Sequence, residues 1–189
     1  SMIFVKRQVI SLLREGVCAR SFFLESRTSP VLIWCEILRL IGEISFSKPD
    51  IIHAQYGTMT GFLSATCALI TKTKFVVTFR GSDLNPSIDV GLIRFIFSHI
   101  LSQISALCAG QIICVSEQLK KRLWCKKKKV IVIPSGINLS FFHEIPKDQA
   151  RARLGVSKDS KLVLFNAGSL IIRKGKRFDI AQEVIRVAR

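Results

Sequence analysis

The sequence predicts an α/β protein built on a doubly wound parallel sheet, followed by the first unit of a second α/β domain. Short runs rich in Val, Ile and Phe are typical of buried strands. Helix-length segments with apolar and polar faces lie between these runs. The runs lack polar alternation and each is followed by a helix, which indicates parallel strands covered on both faces.

Six segments are predicted as strands because they are rich in β-branched and aromatic residues and are bounded by turn residues. Five of them belong to the main sheet, and the last opens the second domain. They are residues 17–24, 51–54, 75–79, 112–115, 130–133 and 162–165.

Seven segments are predicted as helices. The first stops at Gly16, a residue suited to a helix C-cap. The second starts with Ser29 as N-cap and Pro30 at the first helical position, where its missing N–H costs nothing. The helices are expected over residues 3–15, 29–46, 58–70, 89–107, 116–124, 147–154 and 176–187.

A change of pattern predicts a domain boundary near residue 140. Turn residues end the fifth strand at 134–138, and a polar, irregular segment follows. We expect a first domain over residues 1–140 that lacks its opening strand, a linker over 141–160, and a truncated second domain over 161–189. About 30 residues cannot close a sheet alone, since standalone domains typically have about 50–200 residues. The chain is therefore expected to be a fragment.

Composition excludes several classes of protein. The chain carries 29 Lys and Arg against 13 Asp and Glu, a formal charge of +16. Its 49% hydrophobic and 22% charged content is that of a globular protein and excludes disordered and collagen-like chains. The six cysteines form no C-x-x-C pair, so we expect reduced, mostly buried thiols in a cytoplasmic protein and no metal site. The longest apolar stretch, residues 90–107, falls short of the roughly 20 uninterrupted apolar residues of a membrane span.

Polar residues follow the third predicted strand. Arg80, Gly81 and Asp83 stand at its carboxyl end, where parallel sheets bind ligands because helix N-termini direct their N–H groups there. Gly81 allows a ligand to approach the backbone closely. Arg80 could hold a phosphate or carboxylate with its forked donors. The alternative interpretation is an Asx-turn at Asp83 beside a solvated Arg80.

Two further segments carry candidate residues. His53 ends the second predicted strand, as a binding residue or as a hydrogen-bonded structural histidine. Near the carboxyl end, a turn at Gly168 leads into a basic loop, residues 173–177, beside a predicted helix N-terminus. This loop is either a diphosphate cradle or a solvated basic turn. Its spacing is not that of a P-loop.

Seven segments in order along the chain resemble the retaining glycosyltransferases of family 4 (the group-1 family), which have the two-domain GT-B fold. Each segment is weak evidence alone, and their common order carries the resemblance. They are residues 4–8 (FVKRQ), 49–54 (PDIIHA), 77–83 (VTFRGSD), 115–117 (VSE), 132–138 (VIPSGIN), 152–155 (ARLG) and Gly168 followed by Lys174 and Gly175.

The resemblance implies a sugar-nucleotide donor bound between two Rossmann-like domains, the first of which takes the acceptor. It implies transfer with retained anomeric configuration and without a metal or cofactor. An Arg/Lys pair and a helix N-terminus would stabilise the leaving diphosphate electrostatically. Lys174 matches the family's diphosphate lysine, and Gly168 opens the same turn. The family's arginine usually follows that glycine. In this chain that position is Ser169, and either Arg173 takes the place of the arginine or, in a register shifted by two residues, Lys176 and Arg177 do.

The first domain also contributes residues by resemblance. Gly81 and Asp83 belong to the loop that faces the donor sugar, and His53 lies near the acceptor side. Arg80 stands where the family often has histidine and marks a subgroup. The family's acidic pair would lie beyond residue 189, so the chain as given is expected to be inactive.

A basic segment surrounds Trp124. Family acceptors are often lipid-linked, and the first domain docks on the anionic cytoplasmic leaflet, where each cation contributes on the order of 1 kcal/mol. We expect a peripheral protein of the inner leaflet that serves sugar transfer to a cell-surface glycan or lipid-linked acceptor. The alternative for the segment is a solvated charged face. The expected membrane-facing residues are Lys120, Lys121, Arg122, Lys126, Lys127, Lys128 and Lys129.

A basic α/β module that binds nucleic acid is the alternative function, and the charge of +16 permits it. The sequence shows no helix-turn-helix, zinc-finger or aromatic RNA-binding signature. One tyrosine and two tryptophans leave few platforms for stacking bases. We therefore expect no nucleic-acid partner.

Overall fold

A computed structural model describes residues 3–25, 29–85, 91–124, 129–166 and 177–187. Strands and helices alternate through the middle of the chain. The strands are β1 (Ile51–Gln55), β2 (Lys74–Phe79), β3 (Gln111–Cys114) and β4 (Val130–Val132). The helices are α1 (Ile3–Arg14), α2 (Pro30–Ser47), α3 (Met59–Thr71), α4 (Leu92–Cys108), α5 (Glu117–Lys121), α6 (Lys147–Leu154) and α7 (Phe178–Val187).

The four strands form one parallel sheet in the order β1-β2-β3-β4. Each lies within one residue of its predicted bounds, because buried β-branched runs between turns specify strands well. Helix α3 connects β1 to β2, and α4 connects β2 to β3. The parallel α/β class is confirmed.

The two faces of the sheet differ. Side chains alternate along each strand, and one face carries Phe75, Val77 and Ile112 in a core shared with α3 and α4. The opposite face carries His53, Gln55 and Thr78, which we call the polar face. Within the described residues the polar face is only partly covered, since Ile51 and Ile131 on it are about half exposed. This differs from the expected cover on both faces.

Residues 17–24 are not a strand, which corrects the prediction. Within the described residues this segment joins no sheet, and side chains hold it against α2 instead. Arg20 pairs with Glu43 at 2.8 Å, and Arg39 donates to the Phe23 carbonyl at 2.7 Å. Phe22 packs against the smaller core cluster, which contains Leu40 and Ile44 of α2. Apolar residues that cover a helix gave the segment its strand-like composition.

Residues 162–165 are not a strand either. Leu162, Val163 and Leu164 are 59%, 61% and 91% exposed, and no described strand pairs with them. A parallel strand needs at least one neighbouring strand to satisfy its backbone. The strand predicted over residues 162–165 is therefore wrong, whereas α6 has its predicted bounds. That residues 161–189 open a second α/β domain stays a prediction.

The fifth helix is shorter than expected. The Ser116 side chain accepts from the Leu119 N–H at 3.3 Å and caps the helix start. The helix ends at Lys121 instead of residue 124. The chain then turns so that the Trp124 N–H donates to Gln103 on α4 at 3.1 Å. This bond fixes Trp124 beside α4.

The contacts divide the chain into two compact units. The first unit comprises Ser1–Pro86 and Val90–Ser135, and the second comprises Ser87–Asp89 and Gly136–Arg189. Both hydrophobic clusters lie in the first unit. No described helix has the length and apolar character needed to cross a bilayer.

The described cysteines are of two kinds. Cys67 and Cys114 are buried and Cys108 is half-buried, whereas Cys18 and Cys35 are exposed. Burial raises the pKa of the Cys67 and Cys114 thiols to about 11. The expectation of mostly buried thiols is wrong for Cys18 and Cys35, which lie on the segment before α2 and on α2 itself.

Candidate functional site

The candidate site lies where β1 and β2 end side by side. The two strands are parallel, and their register pairs His53 with Val76 and Gln55 with Thr78. Their carboxyl ends therefore meet at one edge of the sheet, which is where parallel sheets bind ligands. His53, Gln55 and Thr78 all belong to the polar face, so their side chains share one side of this edge.

Arg80, one residue beyond β2, is held by two neutral amides. Its Nε and Nη2 donate to Gln55 Oε1 at 3.0 and 2.7 Å. Nη2 also donates to Gln8 Oε1, on α1, at 2.8 Å. Nη1 makes a longer contact of 3.4 Å with the Ser135 hydroxyl. These bonds fix the orientation of the guanidinium. Among the ion pairs of the described residues none includes Arg80, so no described carboxylate lies within ion-pair distance of its guanidinium.

His53 is a neutral, hydrogen-bonded imidazole. Its Nε2 lies 2.7 Å from the Thr78 hydroxyl and 3.3 Å from the Gln55 amide nitrogen. Burial lowers the pKa of His53, and the positive charge of Arg80 lowers it further. At neutral pH the ring therefore stays uncharged beside the guanidinium.

Asp83 organises the loop after β2. Its side chain is 1% exposed, and its carboxylate accepts the backbone N–H groups of Gly57, Arg80 and Gly81 at 2.8–3.2 Å. Three N–H donors on one carboxylate tie the β1–α3 turn to the loop that carries Arg80. The carboxylate is occupied within the protein, so Asp83 shapes the loop that was predicted to face a donor sugar.

Glycines allow this edge to close tightly. A Cβ atom on Gly57 would lie 2.0 Å from the Phe79 ring, so only glycine fits there. Gly57 also accepts a hydrogen bond from the Ser105 hydroxyl at 2.7 Å. Gly81 has φ +139°, a conformation that L side chains rarely adopt, and the space around its missing Cβ is open. The backbone at Gly81 is therefore open on that side, and its role toward a ligand stays a prediction.

The structure thus brings together His53, Arg80, Gly81 and Asp83. The remaining candidates Gly168, Arg173, Lys174 and Lys176 lie outside the described residues, as do Lys126, Lys127 and Lys128. Their roles stay predictions. Of the basic segment, Lys120, Lys121, Arg122 and Lys129 are described, and Lys120 makes a 3.8 Å pair with Glu117.

The sequence reasoning missed four residues of the site. Gln55 had a signal, since it stands two residues after His53 and must share its face of the strand. Thr78 had the same kind of signal on β2. Gln8 and Ser135 stand in two of the segments that carry the family resemblance, but they are far from Arg80 in sequence, and no local pattern indicated that they contact it.

The arrangement can bind an anion and offer a neutral hydrogen-bonding ring beside it. Arg80 supplies a forked cation that no described carboxylate neutralises. The described residues contain no group of three His, Cys, Asp or Glu side chains placed to hold a metal ion. At this edge the described residues offer hydrogen bonds and a fixed positive charge.

Comparisons with known proteins identify the family of the chain. The sequence profile of Glycosyltransferase Family 4 matches residues 5–141. TuaC of Bacillus subtilis (strain 168), which bears the name of a teichuronic acid biosynthesis glycosyltransferase, is 31% identical over 134 residues. That match covers 67% of this chain and 32% of TuaC, so the chain spans about a third of the length of this curated relative.

Solved structures share the fold at low sequence identity. Anabaena Alr3699/HepE, solved in complex with UDP, matches with a TM-score of 0.52 and 15% identity, over 78% of this chain and 39% of its own. The UDP-N-acetylglucosamine 2-epimerase of Rickettsia bellii matches with a TM-score of 0.50 and 16% identity, over 82% and 42%. At such identities the likeness is one of fold.

Proposed function

The chain belongs to glycosyltransferase family 4, and on that premise we propose that it serves the transfer of a sugar from a nucleotide-diphosphate donor. The acceptor would be a cell-surface glycan or a lipid-linked molecule, and the sugar would retain its anomeric configuration. The first unit would bind the acceptor side. Lys174 and Arg173 are proposed to contact the donor diphosphate, with Gly168 and Lys176 beside them. No metal or cofactor takes part in this proposal.

The observation that carries the proposal is the unneutralised Arg80 at the carboxyl edge of the sheet. Structural arginines are commonly paired with a carboxylate, as Arg39 is with Glu36 at 2.6 Å. Arg80 is instead held by the amide oxygens of Gln8 and Gln55, which orient the guanidinium without cancelling its charge. Such a cation, beside the open Gly81, suits a phosphate oxygen of a substrate.

Binding of phosphate-bearing probes to the 189-residue chain tests this role. UDP and a short-chain, water-soluble polyprenyl phosphate are titrated separately by calorimetry at about 0.15 M salt, where unspecific attraction to the basic surface is screened. Arg80→Gln should weaken at least one probe tenfold or more, since a charge-assisted hydrogen bond contributes about 1.5–3 kcal/mol. The probe that responds assigns Arg80 to the donor or to the acceptor.

Arg20→Gln is the matched control. It removes the same charge from the same unit, but Arg20 pairs with Glu43 at the surface. The affinity of this variant for each probe should stay within about twofold of that of the unmodified chain. Equal affinities of the Arg80→Gln variant and the unmodified chain for both probes would contradict the proposed role of Arg80.

We further propose that the first unit docks on an anionic membrane surface. Helix α4 exposes an apolar stripe, with Ile93 85% and Phe97 56% exposed. Trp124, 66% exposed, lies against the same helix through its ring contact with His99 at 5.3 Å. The cations Lys120, Lys121 and Arg122 precede it. An apolar stripe flanked by cations and a tryptophan suits the interface of an anionic bilayer.

Vesicle sedimentation separates this proposal from the nucleic-acid alternative. The chain should bind vesicles with 30% phosphatidylglycerol and not neutral ones, and short duplex or single-stranded nucleic acid should not compete. Changing Lys120, Lys121 and Arg122 to Gln should reduce vesicle binding several-fold. The control changes Lys147, Lys158 and Lys161 of the second unit to Gln, which removes the same charge. Equal loss in both variants, or tighter binding to nucleic acid than to vesicles, would contradict membrane docking.

A further inference from the structure

The side chain of Gln55 links the cation of the site to its imidazole. Its Oε1 accepts two hydrogen bonds from Arg80, through Nε at 3.0 Å and Nη2 at 2.7 Å. Its Nε2 lies 3.2 Å from Gln8 Oε1 and 3.3 Å from His53 Nε2. One amide therefore touches the guanidinium with one end and the imidazole with the other.

Arg80 fixes which way the Gln55 amide points. A guanidinium has donors and no acceptor, so the atom that lies 2.7 Å from Nη2 has to be the oxygen. With the amide turned over, two N–H donors would face each other at that distance. Gln8 agrees with this orientation, since its Oε1 accepts from both Arg80 and Gln55.

The fixed amide in turn decides the proton position on His53. The Gln55 Nε2 is a donor and faces His53 Nε2, so that ring nitrogen has to be the acceptor. The Thr78 hydroxyl, 2.7 Å away, is then also a donor to this nitrogen, whose single lone pair is shared between Thr78 and Gln55. A neutral imidazole with an acceptor at Nε2 carries its proton on Nδ1.

We propose that Gln55 is a positioning residue that holds His53 as the neutral tautomer protonated on Nδ1. His53 then serves as a hydrogen-bond donor through Nδ1 and not as a base through Nε2, whose lone pair is taken by groups of the protein. The charged group acting on the ring is Arg80, and Gln8, Gln55 and Thr78 around it are uncharged. Only the use of this donor toward a substrate oxygen rests on the proposed function; the tautomer itself does not.

Nitrogen-15 NMR of the full chain tests the tautomer without any substrate. Long-range proton–nitrogen correlation spectra at about pH 7.5 distinguish a protonated ring nitrogen from one with a free lone pair. The chain has three histidines, and the signals of His53 are assigned from those missing in a His53→Gln variant. We expect a protonated Nδ1 and a lone pair on Nε2. A protonated Nε2 in the unmodified protein would overturn the proposal, whatever the variants do.

Gln55→Glu tests the role of the amide. The carboxylate keeps the shape and still accepts from Arg80, but it cannot donate to His53. The proton of His53 should move to Nε2, and the pKa of the ring should rise because a negative charge now faces it. Gln111→Glu is the control, since it adds the same charge to the same sheet at the amino end of β3. An unchanged tautomer in Gln55→Glu, with a native circular dichroism spectrum, would remove Gln55 from this role.

The outcomes separate this inference from the proposed function. The NMR result can hold while UDP and polyprenyl phosphate fail to bind, in which case only the proposed function fails. Arg80-dependent binding can equally persist while the tautomer is wrong, and then only the role of Gln55 fails.

Discussion

The two units of the chain differ in how far they bury their apolar side chains. The first unit buries Val77, Phe79 and Ile112 almost completely between one face of its sheet and its helices. In the second unit no described residue is buried, and its helices α6 and α7 have no buried position. Leu154 and Val187 on these helices are 74% and 78% exposed.

This difference in burial indicates that the first unit supplies most of the folding free energy and holds the candidate site in place. Burial of apolar surface is the dominant favourable term in folding, at about 25 cal/mol per Å². The first unit buries apolar surface on one face of its sheet and can therefore hold side chains at fixed distances on the polar face. In the second unit, helix α6 depends on local devices such as the αL C-cap at Gly155, which has φ +65°. We therefore expect the cooperative unfolding of the chain to report on the first unit.

The largest effect should come from truncating the same side chain in each unit. Phe79 is fully buried at the end of β2, so Phe79→Ala should lower the free energy of unfolding by about 3–5 kcal/mol. Phe141 in the second unit is 77% exposed, and Phe141→Ala should change it by less than about 0.5 kcal/mol. Urea unfolding followed by far-UV circular dichroism measures both. Equal effects of the two changes would contradict this difference in burial between the two residues.

Removing an aspartate from each unit should give the next largest effect. Asp83→Ala leaves the N–H groups of Gly57, Arg80 and Gly81 without their acceptor. We expect a loss of about 3 kcal/mol, because each buried, unpaired donor costs about 1–3 kcal/mol and water reaches some of them. Asp179→Ala removes a carboxylate of the second unit that pairs with Arg177 in solvent, and no measurable change is expected. A loss in Asp83→Ala no larger than in Asp179→Ala would contradict the structural role of the Asp83 carboxylate.

The fold of the first unit was predictable because local sequence patterns specify its strands and helices. Runs such as residues 75–79 combine β-branched and aromatic residues between turns, and helix α2 has a proline at its first position. Residues 17–24 and 162–165 share that composition but have no described strand beside them. Composition states that a segment is apolar; whether it joins a sheet or covers a helix depends on tertiary neighbours.

The site was predictable only in part, for a related reason. His53, Arg80 and Asp83 could be found because they stand at the ends of predicted strands. Their contacts could not, since the partner of Arg80 on α1 is 72 residues away in sequence. Asp83 was predicted either in a loop that faces a ligand or in an Asx-turn, and the partners of its carboxylate, which include the N–H of Gly57 on another strand's turn, could not be read from the local pattern.

The smallest of the three effects is a pH dependence of the first unit. Burial lowers the pKa of His53 with help from Arg80, and burial lowers that of His99 with help from Arg122. Histidines in the unfolded chain titrate near 6.5. Below that pH the unfolded chain binds more protons at these two rings than the folded chain does. Their contribution to stability is therefore full above about pH 6.5 and falls on acidification. Both rings are only half-buried, which keeps the loss below that of the two substitutions.

Urea midpoints between about pH 8 and pH 5.5 measure this slope while carboxylates, which ordinarily titrate near pH 4, stay ionised. Replacing His53 and His99 with Gln should flatten the slope, because Gln takes up no proton in either state. Gln55→Glu should reduce the slope from His53 alone, since the new carboxylate raises the pKa of that ring toward its unfolded value. A slope unchanged by the double replacement would assign the pH dependence to groups other than these two rings. A stability that rises on acidification would contradict the lowered pKa values of His53 and His99. It would also contradict the neutral His53 imidazole on which the proposed hydrogen bonds of the site depend.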